Sequence, residues 1–284
     1  MEIIDGRKVR DAILAKVEKR IRALPFKPLF CDVLVGDNDV AAQYVRMKER
    51  TAEAIGLKVV HGVYPGTIAT EELILEVKRL SALPNMAGLI VQLPLPPSLD
   101  TRAVLDAITP NVDVDATSTI SSDLFYANKA SYLFPTAAAS VTLVDSFVPD
   151  LTGKKIVVVG QGMLVGKPVT HLLRSRGLDV GTVDRETKDP DELLKNADVI
   201  ITGVGKAKLI NGGNIKPGVV IVDAGTSESN GAIVGDVDRA TVEPIASAIS
   251  PVPGGVGPVT VAMLMQNVVI SAERQLGGYG RNSY

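Results

Sequence analysis

The run Gly153-Lys154-Lys155-Ile156-Val157-Val158-Val159-Gly160-Gln161-Gly162-Met163-Leu164-Val165-Gly166 leaves its part of the chain little choice of structure. Ile156 to Val159 is a continuous β-branched run, the composition of a strand buried on both faces. Glycines interrupt it at Gly160 and Gly162, and a helical pattern follows from about Val165 to Arg174. Strand, glycine turn and helix in that order make a phosphate cradle. The glycines let backbone approach a pyrophosphate, and the free N–H groups of the helix start face the anion. The spacing is Gly-x-Gly-x-x-x-Gly, one residue longer than the commonest dinucleotide fingerprint. An ordinary βα turn can carry the same glycines. The flanking strand and helix favour a dinucleotide site lined by Gly160, Gln161, Gly162 and Gly166.

The rest of the chain alternates in the same way. An amphipathic helix is expected over Arg7 to Leu24, with Val9, Ile13, Val17 and Ile21 on one face, ended by Pro25 and Pro28. Leu29 to Val35 reads as a strand, with Cys31 a plain core thiol within it. A helix over Val40 to Ile55, capped by Gly56, follows the turn at Gly36 to Asp39. Then come a strand over Leu57 to Val63, a helix over Ile68 to Leu80 and an apolar strand over Met86 to Leu93. Such alternation implies parallel sheet covered on both faces. At 284 residues and 46% hydrophobic content the chain can bury a large core, and its length suggests two domains. The turn-rich stretch Pro149 to Gly153 is the expected boundary. Ser118 to Ser122 reads as polar loop, Ser140 to Phe147 as helix, and Ile249 to Pro258 as too rich in Pro and Gly for any helix.

Past the glycine turn, Asp179 to Val183 reads as the next strand, ending at Asp184-Arg185. Asp184 stands where an acidic residue would bind a ribose 2′-OH, whereas Arg185 could pair with a 2′-phosphate. The two point opposite ways. Asp198 to Gly205 is a buried strand whose glycines, Gly203 and Gly205, can lie against a nicotinamide, and Val219 to Val222 is another strand.

Charge excludes some partners. With 30 Lys+Arg against 32 Asp+Glu, the formal net charge of -2 argues against a nucleic-acid or anionic-membrane surface. One cysteine and two histidines leave no internal disulfide and little for a metal site. The start of the sequence has no basic leader, and no apolar run reaches the roughly 18 residues of a membrane span, so a cytoplasmic protein is expected.

Four positions stand out against this scaffold. Tyr44 and Lys48 share one helical face, near the carboxyl ends of the strands where open α/β sheets bind ligands. A solvated lysine with a packed tyrosine would look the same. Gln92 closes a buried strand before Pro94 and needs hydrogen-bond partners. Asp113 and Asp115 follow Pro110, and either could serve an Asx-turn or face a cleft.

Taken together, Tyr44-Val45-Arg46-Met47-Lys48, Val91-Gln92-Leu93-Pro94-Leu95-Pro96, Asp113-Val114-Asp115 and the decapeptide from Pro251 to Thr260 carry a resemblance. The chain resembles the bifunctional methylenetetrahydrofolate dehydrogenase/methenyltetrahydrofolate cyclohydrolase family over nearly its whole length. The resemblance implies two α/β domains flanking a cleft, the second a Rossmann-type dinucleotide-binding domain. Residues 1–148 would bind folate and 149–259 the nucleotide. The helix 260–276 would return to the first domain, and 277–284 would form a disordered tail.

It further implies oxidation of 5,10-methylenetetrahydrofolate and hydrolysis of the methenyl product to 10-formyltetrahydrofolate. Lys48 would be the base or proton shuttle, suited to it where burial and a cationic substrate disfavour the charged amine. Gln92 would orient it, Tyr44 would stack on the folate, and Asp115 would accept from the pterin's N–H donors. Pro253, Gly254, Gly255 and Val256 would contact substrate, and Thr226 would join Gly203 and Gly205 at the nucleotide. NADP is the implied cofactor, with NAD left open. A homodimer is implied, with tetrahydrofolate derivatives as ligands and no metal.

The chain also departs from the family pattern. Gln161-Gly162 replaces the usual Arg-Ser, Asp184-Arg185 the usual His-Ser, and Pro135-Thr136-Ala137-Ala138 the usual Pro-Cys-Thr-Pro. Ala41 and Ala116 replace a serine and a glycine. These leave room for a degenerate paralogue with cyclohydrolase activity only, or one that binds nucleotide without turnover. A two-domain dehydrogenase of another small acid is a further alternative.

Overall fold

The computed structural model describes residues 1–229 and 232–277. The expected tail beyond 277 lies outside the described residues. In chain order the structure begins with β1 (Glu2–Ile3), α1 (Gly6–Arg22), β2 (Leu29–Val35), α2 (Asp39–Ala54), β3 (Lys58–Tyr64), α3 (Thr70–Ser81) and β4 (Met86–Val91). Three helices follow: α4 (Thr101–Asp106), α5 (Thr119–Tyr126) and α6 (Pro135–Phe147). Then come β5 (Ile156–Val159), α7 (Gly166–Arg174), β6 (Val180–Val183), α8 (Pro190–Asn196), β7 (Val199–Thr202) and β8 (Val220–Asp223). The last elements are β9 (Ser227–Ser229), β10 (Ala232–Val234), α9 (Arg239–Val242), β11 (Ala248–Ile249) and α10 (Val256–Leu276).

The chain forms two compact units. One comprises residues 12–133 together with the chain from Leu264 on; the other comprises Met1–Asp11 and Phe134–Met263. Pro149 to Gly153, the boundary suggested by composition, lies within the second unit as the link between α6 and β5.

The first unit is built on a three-stranded parallel sheet, β3-β2-β4. β2 and β4 are buried almost throughout and apolar but for Asp32, because both faces are covered, whereas most of β3 is exposed or partly exposed. Asn38 starts α2 by accepting the Ala41 N–H at 2.8 Å, and Gly56, at φ +99°, follows its end as expected. The second half of α10 completes the core: Leu264, Met265, Val268 and Val269 pack with Val17, Ile21, Phe30, Ile90 and Val114. Arg20 clamps Glu273 with two bonds of 2.9 and 2.6 Å, and Asn267 donates to the carbonyls of Val114 and Leu133, both at 2.8 Å.

The second unit carries a six-stranded sheet, β1-β11-β8-β7-β5-β6, every pair of which is parallel. The order is that of a doubly wound sheet with β5 beside the point where the order reverses. Its core joins Val157, Val159, Ile200, Ile221 and Ile249.

Several expectations need correction. Ser118 to Ser122 is not simply loop: Ser118 caps α5 by accepting from the Ser121 N–H. Helix α6 starts at Pro135 rather than Ser140, because proline is tolerated in the first turn where its N–H has no partner to lose. The same holds at Pro258, so the last residues of the Pro/Gly stretch are the first turn of α10. At 21 residues, with a mean hydropathy of 1.3 in its most apolar window, α10 is long and apolar enough by length and composition to cross a membrane, although Gln266 and Asn267 interrupt its apolar run. Its most apolar window is 61% buried, which marks a core helix.

Gly88 lets α10 seat on the sheet. A Cβ there would lie 2.6 Å from Val268 Cγ2 and 3.1 Å from Val114 Cγ2. Gly88→Ala should therefore cost about 1–3 kcal/mol of stability through overpacking. The expected readout is a lower urea midpoint at unchanged m-value, and an unaltered midpoint would contradict this packing.

Candidate active site

Strand β2 delivers the chain to the start of α2, so the second and third turns of that helix stand over the sheet it has just left. Tyr44 and Lys48 lie one turn apart there. Gln92 leaves β4 with its own N–H bonded to the Val33 carbonyl at 2.8 Å, which fixes where its side chain starts. Lys48 Nζ donates to Gln92 Oε1 at 2.7 Å, and Gln92 Nε2 donates to the Leu93 carbonyl at 2.9 Å. The glutamine at the end of an apolar strand is thus satisfied at both ends of its amide.

A fourth group was missed in the sequence. Asp32, in the middle of β2 and fully buried, places Oδ2 2.6 Å from Lys48 Nζ. Burial pushes its carboxyl up, and the Lys48 ammonium opposes that shift. The signal was visible as a lone carboxylate within Leu29-Phe30-Cys31-Asp32-Val33-Leu34-Val35.

The structure separates the two aspartates after Pro110. Asp113 is buried and wrapped by its own loop, accepting from the Thr117 N–H at 3.2 Å, the Ser118 N–H at 2.9 Å and Ser118 Oγ at 2.6 Å. It holds the loop together. Asp115 receives no such bonds among the described residues. Desolvation pushes its carboxyl up to about 6, against the pull of Lys48 and helped by Asp113 and Asp32. Tyr44 is half-buried, and burial pushes its phenol up as well. Lys48, Gln92, Asp115 and Tyr44 all belong to the first unit.

The glycine turn lies in the second unit. Gly160 sits at φ +86° and donates its N–H to the Val183 carbonyl at 2.7 Å. At Gly166 a Cβ would fall 1.7 Å from the Gly160 oxygen, so only glycine lets α7 start so close to β5. No side chain caps the start of α7; the Lys167 N–H bonds to the Gly162 carbonyl at 3.2 Å and Pro168 has none, so the Gly166 N–H is the one in the first turn that faces the glycine turn without a side-chain cap. At Gly162 a Cβ would meet no protein atom within 4 Å. Gln161 folds back, donating to the Gly160 carbonyl at 2.9 Å and to Thr170 Oγ1 at 3.3 Å.

After β6, Asp184 Oδ1 accepts from Thr187 Oγ1 at 2.8 Å and the Glu186 N–H at 3.0 Å, bonds that hold its carboxyl below the usual range. Arg185 is exposed beside it. Gly203 is hemmed in by Val165, Gly205 adopts φ +75°, and Thr226 is exposed. Asp236, unmarked in the sequence, pins the segment after β7. It accepts from Thr202 Oγ1 at 2.6 Å, the Val204 N–H at 2.7 Å and the Lys206 N–H at 2.8 Å. Asp223 supports it by accepting the Asp236 and Val237 N–H groups, and burial pushes the Asp223 carboxyl up to about 6.

Between β11 and α10, Pro253, Gly254 and Gly255 form a tight loop that ends at the buried Val256. Gly254, at φ +110°, accepts the Gly6 N–H at 3.2 Å, and Gly255 donates to the Pro251 carbonyl at 2.7 Å. Among the described residues no group of three His, Cys, Asp or Glu side chains could hold a metal.

Comparison with known proteins places this arrangement. Residues 4–115 match the tetrahydrofolate dehydrogenase/cyclohydrolase catalytic domain, and residues 135–276 match the NAD(P)-binding domain of the same family. The bifunctional protein FolD of Lacticaseibacillus paracasei is 39% identical over 279 residues, covering 97% of this chain and 99% of that protein. The crystal structure of bifunctional FolD from Campylobacter jejuni is similar at TM-score 0.92 and 32% identity, over 97% of this chain and 99% of that one. The Trypanosoma brucei enzyme, solved with NADP cofactor and inhibitor, is similar at TM-score 0.91 and 31% identity, over 96% and 98% of the two chains. The chain belongs to the tetrahydrofolate dehydrogenase/cyclohydrolase family.

Proposed function

We propose that the protein oxidises 5,10-methylenetetrahydrofolate to the 5,10-methenyl cation with NADP and hydrolyses that cation to 10-formyltetrahydrofolate. The observation that carries this reading is the Lys48–Gln92 contact, flanked by the raised carboxyl of Asp115, in the part of the chain that matches the family's catalytic domain. The nucleotide fits the second unit, where a glycine-only approach and an uncapped helix start follow a buried strand. These residues would hold a nicotinamide nucleotide, which would supply the hydride acceptor for the substrate methylene. Arg185 would pair with the 2′-phosphate, since Asp184 Oδ1 is engaged by its own turn. Gly160, Gln161, Gly162 and Gly166 would line the pyrophosphate, with Gly203, Gly205 and Thr226 towards the nicotinamide. Pro253, Gly254, Gly255 and Val256 would contact folate.

Hydrolysis needs a base near a cationic carbon. Water's oxygen bonds to the methenyl carbon and gives a proton to Lys48. The resulting hydroxyl loses its proton as the carbon–nitrogen bond opens, and one proton returns to the departing nitrogen. Net, one proton is released. Gln92 holds the amine, Tyr44 stacks on the pterin, and the Asp115 carboxylate accepts from the pterin's N–H donors. The same reading includes residues 12–133 as the folate-binding part, a homodimer, and action in the cytoplasm on free folates rather than nucleic acid or membrane.

Two measurements test it. Lys48→Ala should lose methenyl hydrolysis by about a hundredfold or more, followed by absorbance without nucleotide, while still binding a reduced-folate analogue. Retained hydrolysis would remove Lys48 from the mechanism. Asp115 ionises at about 6, so folate-analogue affinity should fall as pH drops through 6 and the acceptor becomes protonated. Asp115→Asn should bind about tenfold or more weakly at neutral pH and show no such pH dependence. Identical titration curves for the two proteins would assign the pH effect elsewhere.

A further inference from the structure

We propose that Asp32 is a positioning residue for Lys48: its buried carboxylate orients the amine and stabilises the ammonium formed when Lys48 takes a proton during hydrolysis. This rests on the reading of Lys48 as the base. Among the described residues the carboxylate at the centre of β2 has one charged neighbour, Lys48 Nζ at 2.6 Å from Oδ2, and both of its oxygens are buried without a well-aligned hydrogen bond. Buried carboxylates that serve structure look different in this chain. Asp113 and Asp236 each collect three donors from the loops they organise. Asp32 organises no loop; it sits in a regular ladder, in register with His61 on one side and Ile90 on the other. A buried charge so sparsely bonded is costly, and an apolar residue would serve the strand alone better.

The geometry of the amine gives the carboxylate its use. A lysine nitrogen has three directions besides its stem: one donates to Gln92 Oε1, and the Asp32 carboxylate lies beside the amine as an ion pair at 2.6 Å. That leaves room on the nitrogen for a lone pair before proton transfer and an N–H after it. The arrangement parallels an aspartate behind a catalytic histidine, which fixes the base and stabilises its protonated form. It also suits the substrate. The methenyl ligand is a cation, and an ammonium paired with a carboxylate presents no net charge to repel it.

The groups around Asp32 act in both directions. Helix α2 contributes Lys48 and Glu49, β3 contributes His61 with Nδ1 3.0 Å from Glu49 Oε1, and the loop between α4 and α5 contributes Asp115. Within β2, burial first and then the Asp32 charge push the Cys31 thiol up to about 12. Lys48 alone among these favours the ionised Asp32, whereas Glu49 disfavours it.

Asp32→Asn and Asp32→Val in the full-length enzyme test the idea, the second because valine suits a strand interior if asparagine does not. Methenyl hydrolysis would be followed by absorbance across the pH range, with Lys48→Ala as control. Without the carboxylate the charged amine loses its stabilisation, so the rising limb should move to lower pH by about one to three units. The plateau rate should drop about tenfold as the base weakens. A limb that stays in place, with the rate unchanged or reduced equally at every pH, would overturn the proposal and leave Asp32 a structural residue. An active Lys48→Ala protein would instead show that the base has been misassigned, and Asp32 would have nothing to serve.

Discussion

An ammonium set into the edge of an apolar sheet needs acceptors, and the first unit is arranged around supplying them. Lys48 reaches from α2 to one acceptor on the strand that precedes the helix and another at the end of β4. Both strands must therefore keep their register for the amine to be held: β2 sets Asp32 beside Ile90, and Gln92 follows through its backbone bond to Val33. Parallel sheet geometry supplies the rigid frame, and the side chains supply the charge. Pre-organisation of this kind limits the reorientation needed when a reacting group arrives.

The second unit meets a different demand with backbone rather than charge. Gly166 removes the Cβ that would keep a helix from its strand, and the helix begins with its N–H groups free of any side-chain cap. Asp236 and Asp223 then stiffen the neighbouring strand exits through bonds to main-chain N–H groups. Carboxylates in the two units thus do contrasting jobs. Those fully wrapped by donors shape loops; the sparsely bonded Asp32 and Asp115 instead feel the charge of Lys48.

Much of this was legible in the sequence. The β-branched run from Ile156, the glycines after it and the helix beyond are local signals, and local signals survive into the structure. That Gln92 needs a partner was legible from its place at the end of a buried strand, whereas Lys48 as that partner came from the family resemblance. What escaped depended on long-range pairing. Nothing near Glu2-Ile3 reveals that these residues pair with Ala248-Ile249, at the far end of the chain. Asp32 could be seen as an anomaly in an apolar strand, but its partner is supplied by the next helix, and one sequence does not show which way that helix faces. Asp113 and Asp115 were indistinguishable as letters; the three donors around the first separate them.

The division of α10 between the two units has a consequence for how the protein is made. Phe30, Ile90 and Val114 emerge from a ribosome well before Leu264, Met265 and Val268, the residues that cover them. Until α10 emerges the first unit therefore carries an open apolar face, with the nascent chain exposed to holdase chaperones and to self-association in the meantime.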